Sequence, residues 1–287
     1  MNPVPGAASP TDLTIGFSPC PNDTFIFHGL VTGMTPTPGV RWRPLIDDVE
    51  TLNRLALGRR IPVTKVSFHA FGRLRGEYAL FSSGAALGHG AGPLLVRRKG
   101  AAGRSLAASR IAVPGLWTSA VLLLRLHEPG ITPPQLVEMP FHRIMDSVSR
   151  GECDAGLIIH EGRFTYEGRG LEAIVDLGDW WEEESGLPIP LGGIIGDRAL
   201  GTDLLHAIER SLRRSVAEAR ANPSAAWGYV KEHAQETADD VVRAHIDLYV
   251  NDFTEDLGEE GLRAVEALYE AAVARGVLPR HDGRLTV

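Results

Sequence analysis

At 287 residues the chain is long enough for one large domain or two ordinary ones, and 44 % hydrophobic with 23 % charged residues suits a globular protein with a proper core. A net charge of −7 argues against a nucleic-acid partner, whose recognition needs a basic surface. Cys20 and Cys153 have no metal-ligand spacing and are too few for a disulfide framework, although a single bridge stays open, and no stretch reaches the length of a membrane span.

Residues 1–12 are rich in Pro, Ala and Gly, without the basic start or apolar centre of a signal peptide. They are expected to form a short disordered arm on a cytoplasmic protein. Residues 13–17 read as a strand and residues 25–31 as the first turns of a helix. Between them, Ser18-Pro19-Cys20-Pro21-Asn22-Asp23-Thr24 is a turn stiffened by two prolines and closed by helix-capping residue types. A strand that breaks into such a turn points free backbone N–H groups outward, an edge that suits an anionic ligand.

Residues 40–46 alternate as a second strand, and Asp47-Asp48 starts a helix through Val49, Leu52, Leu55 and Ala56 that Gly58 ends. Residues 61–68 form a third strand with Lys65 and Ser67 near its end, and a short helix follows through His69 and Leu74. This β-α-β-α order predicts a parallel sheet with helices on its faces. The run Gly88-His89-Gly90-Ala91-Gly92-Pro93 precedes a strand at 94–98, the wrong order for a dinucleotide or phosphate loop. It reads as flexible backbone entering a crossover.

A second series repeats the first. A strand at 110–115 leads through Leu116-Trp117-Thr118-Ser119 into a helix at 120–126, then a strand at 136–140 and a helix at 144–149. The strand at 154–159 ends in His160-Glu161, matching the place of Lys65-Val66-Ser67 in the first series. Ligands of parallel α/β sheets sit at the carboxyl ends of strands, so both ends belong to one cleft if the halves face each other. Residues 187–196 read as a second crossover strand, and four helices follow from Thr202 onward. A lobe inserted within another lobe and joined by two strands is hinge architecture. The expected boundaries are 1–95 and 193–287 for the large lobe and 96–192 for the small one.

Ser18 to Phe25, His160-Glu161-Gly162-Arg163-Phe164-Thr165-Tyr166 and Tyr249-Val250-Asn251 together resemble one family. It is that of the 1,4-dihydroxy-6-naphthoate synthases of the futalosine route to menaquinone, and the likeness runs from about Leu13 to the last helix. The resemblance implies an α/β, two-lobed periplasmic-binding-protein-like fold with mostly parallel sheets, an inserted small lobe and a helical C-terminal region. It implies a lyase that converts cyclic de-hypoxanthine futalosine to 1,4-dihydroxy-6-naphthoate, with a small-molecule substrate and no obligate protein partner. No metal and no redox cofactor is expected. Carried onto this chain, the family's catalytic base falls on His160. Substrate binding falls on Lys65, Val66 and Ser67 and on Thr118, Ser119 and Ala120, while Ser18 and Asn22, on the turn read as one wall of the cleft, are expected to join them. Ser119 stands where the family more often has a second threonine, and Gly162 where it often has serine.

An imidazole titrates near neutrality and can take up a proton without large tuning. Cys20 sits where a helix N-terminus lowers a thiol pKa and invites a nucleophile, yet no Cys–His pair is evident and pocket lining is its default role. Two rivals stand beside the lyase. One is a chorismate dehydratase on the same fold, against which the stretch at 18–24 argues. The other is a non-catalytic solute-binding protein, against which the missing signal peptide argues.

Overall fold

The computed structural model describes residues 10–101, 105–235 and 238–287. Most of the expected N-terminal arm, residues 1–9, lies outside the described residues. Its last residues differ from expectation: β1 (Thr11–Phe17) already includes Thr11 and Asp12, because both pair in register with β2 (Val40–Ile46).

Between these strands lies α1 (Pro21–Val31), and the first series continues with α2 (Val49–Leu57), β3 (Val63–Ser67) and the single turn α3 (Phe68–Phe71). Asp48 caps α2, its carboxylate accepting from Glu50 and Thr51 N–H, and Gly58 ends it as expected. Two short strands follow, β4 (Tyr78–Leu80) and β5 (Ala86–Gly88). The second series is β6 (Leu94–Arg98), β7 (Ile111–Val113), α4 (Ser119–His127), β8 (Leu136–Glu138), α5 (Phe141–Ser149) and β9 (Ala155–Ile158). It is extended by the turn α6 (Gly162–Thr165), β10 (Leu171–Asp176) and α7 (Leu177–Ser185). The chain returns through β11 (Ile189–Asp197) and finishes in α8 (Thr202–Ala221), α9 (Pro223–His233), α10 (Asp239–Tyr249), the turn α11 (Asp252–Glu255) and α12 (Gly258–Ala274).

Two sheets result. The first runs β2-β1-β3-β11-β4 with β5 also on β11, and the second runs β10-β6-β9-β7-β8. The βα series supply parallel pairs, β1 with β2 and β3, and β7 with β8 and β9. The crossover strands add antiparallel ones, β11 against β3, β4 and β5, and β6 against β9 and β10. Both sheets are therefore mixed. Sequence reading missed β10, whose bulge between Ala173 and Val175 breaks the alternation that marks a strand.

α1 is buried around almost its whole circumference, which is why its sequence shows no polar face. The Phe17 and Phe27 rings stack at 4.4 Å beneath it. On the far side, Ser215 of α8 donates to Ile26 O at 2.6 Å and accepts Leu30 N–H at 3.1 Å. Within the glycine-dense run Gly92 marks a close approach, since a Cβ there would stand 2.2 Å from Gly178 N, whereas Gly90, at φ +62°, has open space around it among the described residues. Among the described residues no helix is long and apolar enough to cross a membrane.

Candidate active site

The opening turn is tighter than its sequence suggested. Cys20, with extended backbone, is the N-cap of α1, and Pro21 occupies the first turn, where no N–H is needed. Asn22, Asp23 and Thr24 thus lie inside the helix instead of capping it. Asp23 reaches back, its Oδ2 accepting Ser18 N–H at 3.1 Å and Ser18 Oγ–H at 2.7 Å. Its Oδ1 accepts from Lys65 Nζ at 3.0 Å and Asn22 Nδ2 at 3.2 Å. The edge expected to receive an anionic ligand already holds the chain's own carboxylate, in a first turn whose dipole favours it. Lys65, 5 % exposed, also donates to Gly84 O at 2.8 Å.

Ser67 ends β3, its N–H donating to Asn53 Oδ1 at 2.9 Å and its Oγ accepting from Asn53 Nδ2 at 3.2 Å. Glu50 stands one turn before Asn53 on the buried face of α2. Its Oε2 accepts Trp117 N–H at 3.0 Å and its Oε1 pairs with Arg54 at 3.0 Å. Burial raises the Glu50 carboxyl to about 7, with the Trp117 N–H and Arg54 opposing. Arg54 continues to both oxygens of Glu138 on β8, at 2.8 Å each.

That same turn carries the hydroxyls of the second series. Thr118 caps α4, accepting Val121 N–H at 3.4 Å and donating to Gly115 O at 2.8 Å. Ser119 Oγ donates to Leu191 O on β11. His69 Nδ1 donates to Thr118 O at 3.2 Å, and burial holds its imidazole down to about 4, as befits a structural residue.

β9 ends at Ile158, and His160 turns away from it with φ +56°, a left-handed conformation that residues with a Cβ rarely adopt. Its ring meets Phe141 edge-on at 5.2 Å and lies nearly parallel to His245 at 6.0 Å. Burial lowers the pKa of His160, the Glu161 carboxylate pulling the other way, so the imidazole is neutral near pH 7. His245 of α10 is wholly buried, and Nε2 donates to Asn22 Oδ1 at 2.9 Å. Its pKa is held well below the ordinary value by burial, with His160 adding to the effect.

Cys20 does not take the pocket-lining role expected of it. It is absent from the pocket walls, 5 % exposed, and buried beside Ser18. Burial, with the Glu161 carboxylate next, pushes its thiol well above the ordinary range, which outweighs the helix N-terminus and removes the activated nucleophile. Both cysteines are free.

The residues singled out from the sequence meet in one pocket between the carboxyl ends of the two sheets. Ser18, Asn22 and Lys65-Val66-Ser67 form one wall, and Thr118-Ser119-Ala120 and His160 the other, with Tyr249 and Gly192 between. This places a neutral imidazole opposite a paired ammonium and several hydroxyls, an arrangement able to take a proton from a molecule held by its polar groups. Sequence reading missed Glu50, Asn53 and His245. Their signal was a polar residue on a buried helix face, Glu50 and Asn53 beside Leu52 and Ala56, and His245 between Val242 and Tyr249.

With that geometry in view, the chain can be set beside known proteins. The family profile described as menaquinone biosynthesis matches residues 13–274. A "1,4-dihydroxy-6-naphtoate synthase" of Thermus thermophilus is 51 % identical over 265 residues, covering 92 % of this chain and 95 % of that protein. A protein of the same name from Streptomyces coelicolor is 43 % identical over 274 residues, covering 93 % and 95 %. Among solved structures, protein AF1704 of Archaeoglobus fulgidus superposes with a TM-score of 0.86 at 37 % identity, over 93 % of this chain and 98 % of that one. An alkanesulfonate-binding protein from Xanthomonas axonopodis gives 0.69 at 13 % identity, over 96 % of each chain, a likeness of fold alone.

Proposed function

This chain belongs to the menaquinone-biosynthesis family, and from that membership we propose that it is a lyase converting cyclic de-hypoxanthine futalosine to 1,4-dihydroxy-6-naphthoate. The observation that carries the reading is the shared pocket, with His160 on one wall and Lys65 and Ser67 on the other. In this account the lobe built on the first sheet and the lobe built on the second, joined near the expected boundaries at 95 and 193, close over the substrate. Lys65, Ser67, Ser18 and Asn22 hold its polar groups from one side, and Thr118, Ser119 and the N-terminus of α4 from the other. His160 removes a proton, which starts carbon–carbon cleavage, and formation of the aromatic ring drives the reaction forward. The protein then needs mainly to position a base and keep water out.

Relatives named for the naphthoate synthase favour this reaction over dehydration of chorismate, and the left-handed backbone at His160 fits a residue held for function. Product analysis after incubation with cyclic de-hypoxanthine futalosine, with chorismate as the rival substrate, tests the reading.

A further inference from the structure

Cys20, His160 and Glu161 each offer one donor atom, and the three atoms lie within 4.8 Å of one another. Only His160 has a part in the proposed reaction. A second observation concerns the same place. Glu161 Oε2 and His245 Nδ1 face each other at 3.7 Å, both buried and neither with a hydrogen-bond partner among the described residues. The local network shows what kind of atoms these are. Lys65 and the Asn22 amide nitrogen both donate to Asp23 Oδ1, which orients the amide so that its oxygen meets His245 Nε2. That ring nitrogen therefore carries the proton, and Nδ1 presents a lone pair. Two acceptors this close repel unless something positive joins them.

A thiol, an imidazole and a carboxylate are the donor set of a borderline-soft divalent cation such as zinc. The hydrogen bond from His245 to Asn22 is the support that orients imidazoles around metals. The nearby charge of Lys65 is neutralised by Asp23 at 3.0 Å.

We propose that Cys20, His160 and Glu161, backed by His245, form a zinc-class cation site that shuts off the pocket. Zinc bonds of about 2.0–2.3 Å place donors about 3.5 Å apart, so the side chains draw in by about an ångström. On binding, the Cys20 S–H bond breaks, its proton goes to solvent and a sulfur–zinc bond forms, with no change of oxidation state. The His160 lone pair is taken up by the metal, so bound zinc and turnover exclude each other. The cation is an inhibitor and not a cofactor. Binding stands on the geometry alone, whereas inhibition rests on the proposed role of His160.

The test titrates zinc ion into the purified chain by calorimetry and reads cobalt(II) absorption for the thiolate bond. One zinc per chain is expected, with a sulfur-to-cobalt band that Cys20→Ser abolishes. Cys20→Ser should weaken zinc binding by about 100-fold or more, and Glu161→Gln, a second variant should the first fold poorly, by about 10-fold or more. Zinc should stop turnover of the wild-type protein and a chelator restore it, while Cys20→Ser stays active and resistant. Absence of binding, or binding that neither variant weakens, overturns the site. Binding without inhibition overturns the shut-off and counts against His160 as the base.

Discussion

Glu50 Oε2 accepts the backbone N–H of Trp117 at 3.0 Å, joining a helix that packs on the first sheet to the turn that leads into α4 of the second series. Arg54, one turn further along α2, reaches Glu138 on the edge strand of the second sheet. Together they hold the Thr118 turn against the end of β3, so the two walls of the pocket are set by a buried carboxylate as well as by packing.

Glu50 makes stability depend on pH. Its carboxyl is raised from 4.5 to about 7, so the folded chain holds this proton more tightly than the unfolded one. The contribution is complete below about pH 4.5 and is lost as pH rises through about 7. Across that window Glu50 by itself takes up to about 3 kcal/mol from the wild type, while the buried His69, His160 and His245, whose pKa values are lowered, act in the opposite sense. Glu50→Gln keeps an oxygen for Trp117 and removes this contribution, so the stability of the wild type relative to the variant should fall as pH rises through about 7. Thermal unfolding between about pH 5 and 8 checks this, and parallel curves for the two proteins contradict it.

Lys65 and Asp23 should be coupled. Both are buried, and removing one partner of such a pair costs about 3–5 kcal/mol by stranding the other charge. Lys65→Met should show that loss, and Lys65→Met with Asp23→Asn should recover most of it. Denaturant unfolding of the four proteins gives the coupling, and additive losses speak against it.

Gly92 and Gly228 should respond to alanine with opposite signs. A Cβ on Gly92 meets backbone at 2.2 Å, whereas one on Gly228, inside α9, meets nothing within 4 Å among the described residues. Gly92→Ala should destabilise by about 1–3 kcal/mol. Gly228→Ala should stabilise by about 0.5–1 kcal/mol, since alanine is the better helix former. Shifts in Tm of the same sign refute this account of the glycine run.

The order of elements was legible because each βα unit carries local signals: Asp48 and Gly58 bracket α2, and Thr118 caps α4. The hydroxyls and His160 were legible as polar residues at strand ends. The start of α1 was not, because Asp23 caps nothing and instead spans to Lys65, a contact 42 residues away in sequence. The partners of the site were hidden for the same reason. His245 lies 223 residues from Asn22, and only the fold brings them to 2.9 Å. The burial of Cys20 was equally hidden, and it outweighs the helix terminus at the thiol.

The central claim is that His160 is the base of a naphthoate-forming lyase. Asparagine tolerates the left-handed backbone at this position and removes the base. The decisive measurement follows 1,4-dihydroxy-6-naphthoate formed from cyclic de-hypoxanthine futalosine by wild type and His160→Asn, with binding of the substrate measured in parallel. The account predicts product from the wild type, a loss of about 100-fold or more in the variant, and little change in binding. No product from the wild type, or undiminished product from His160→Asn, contradicts it.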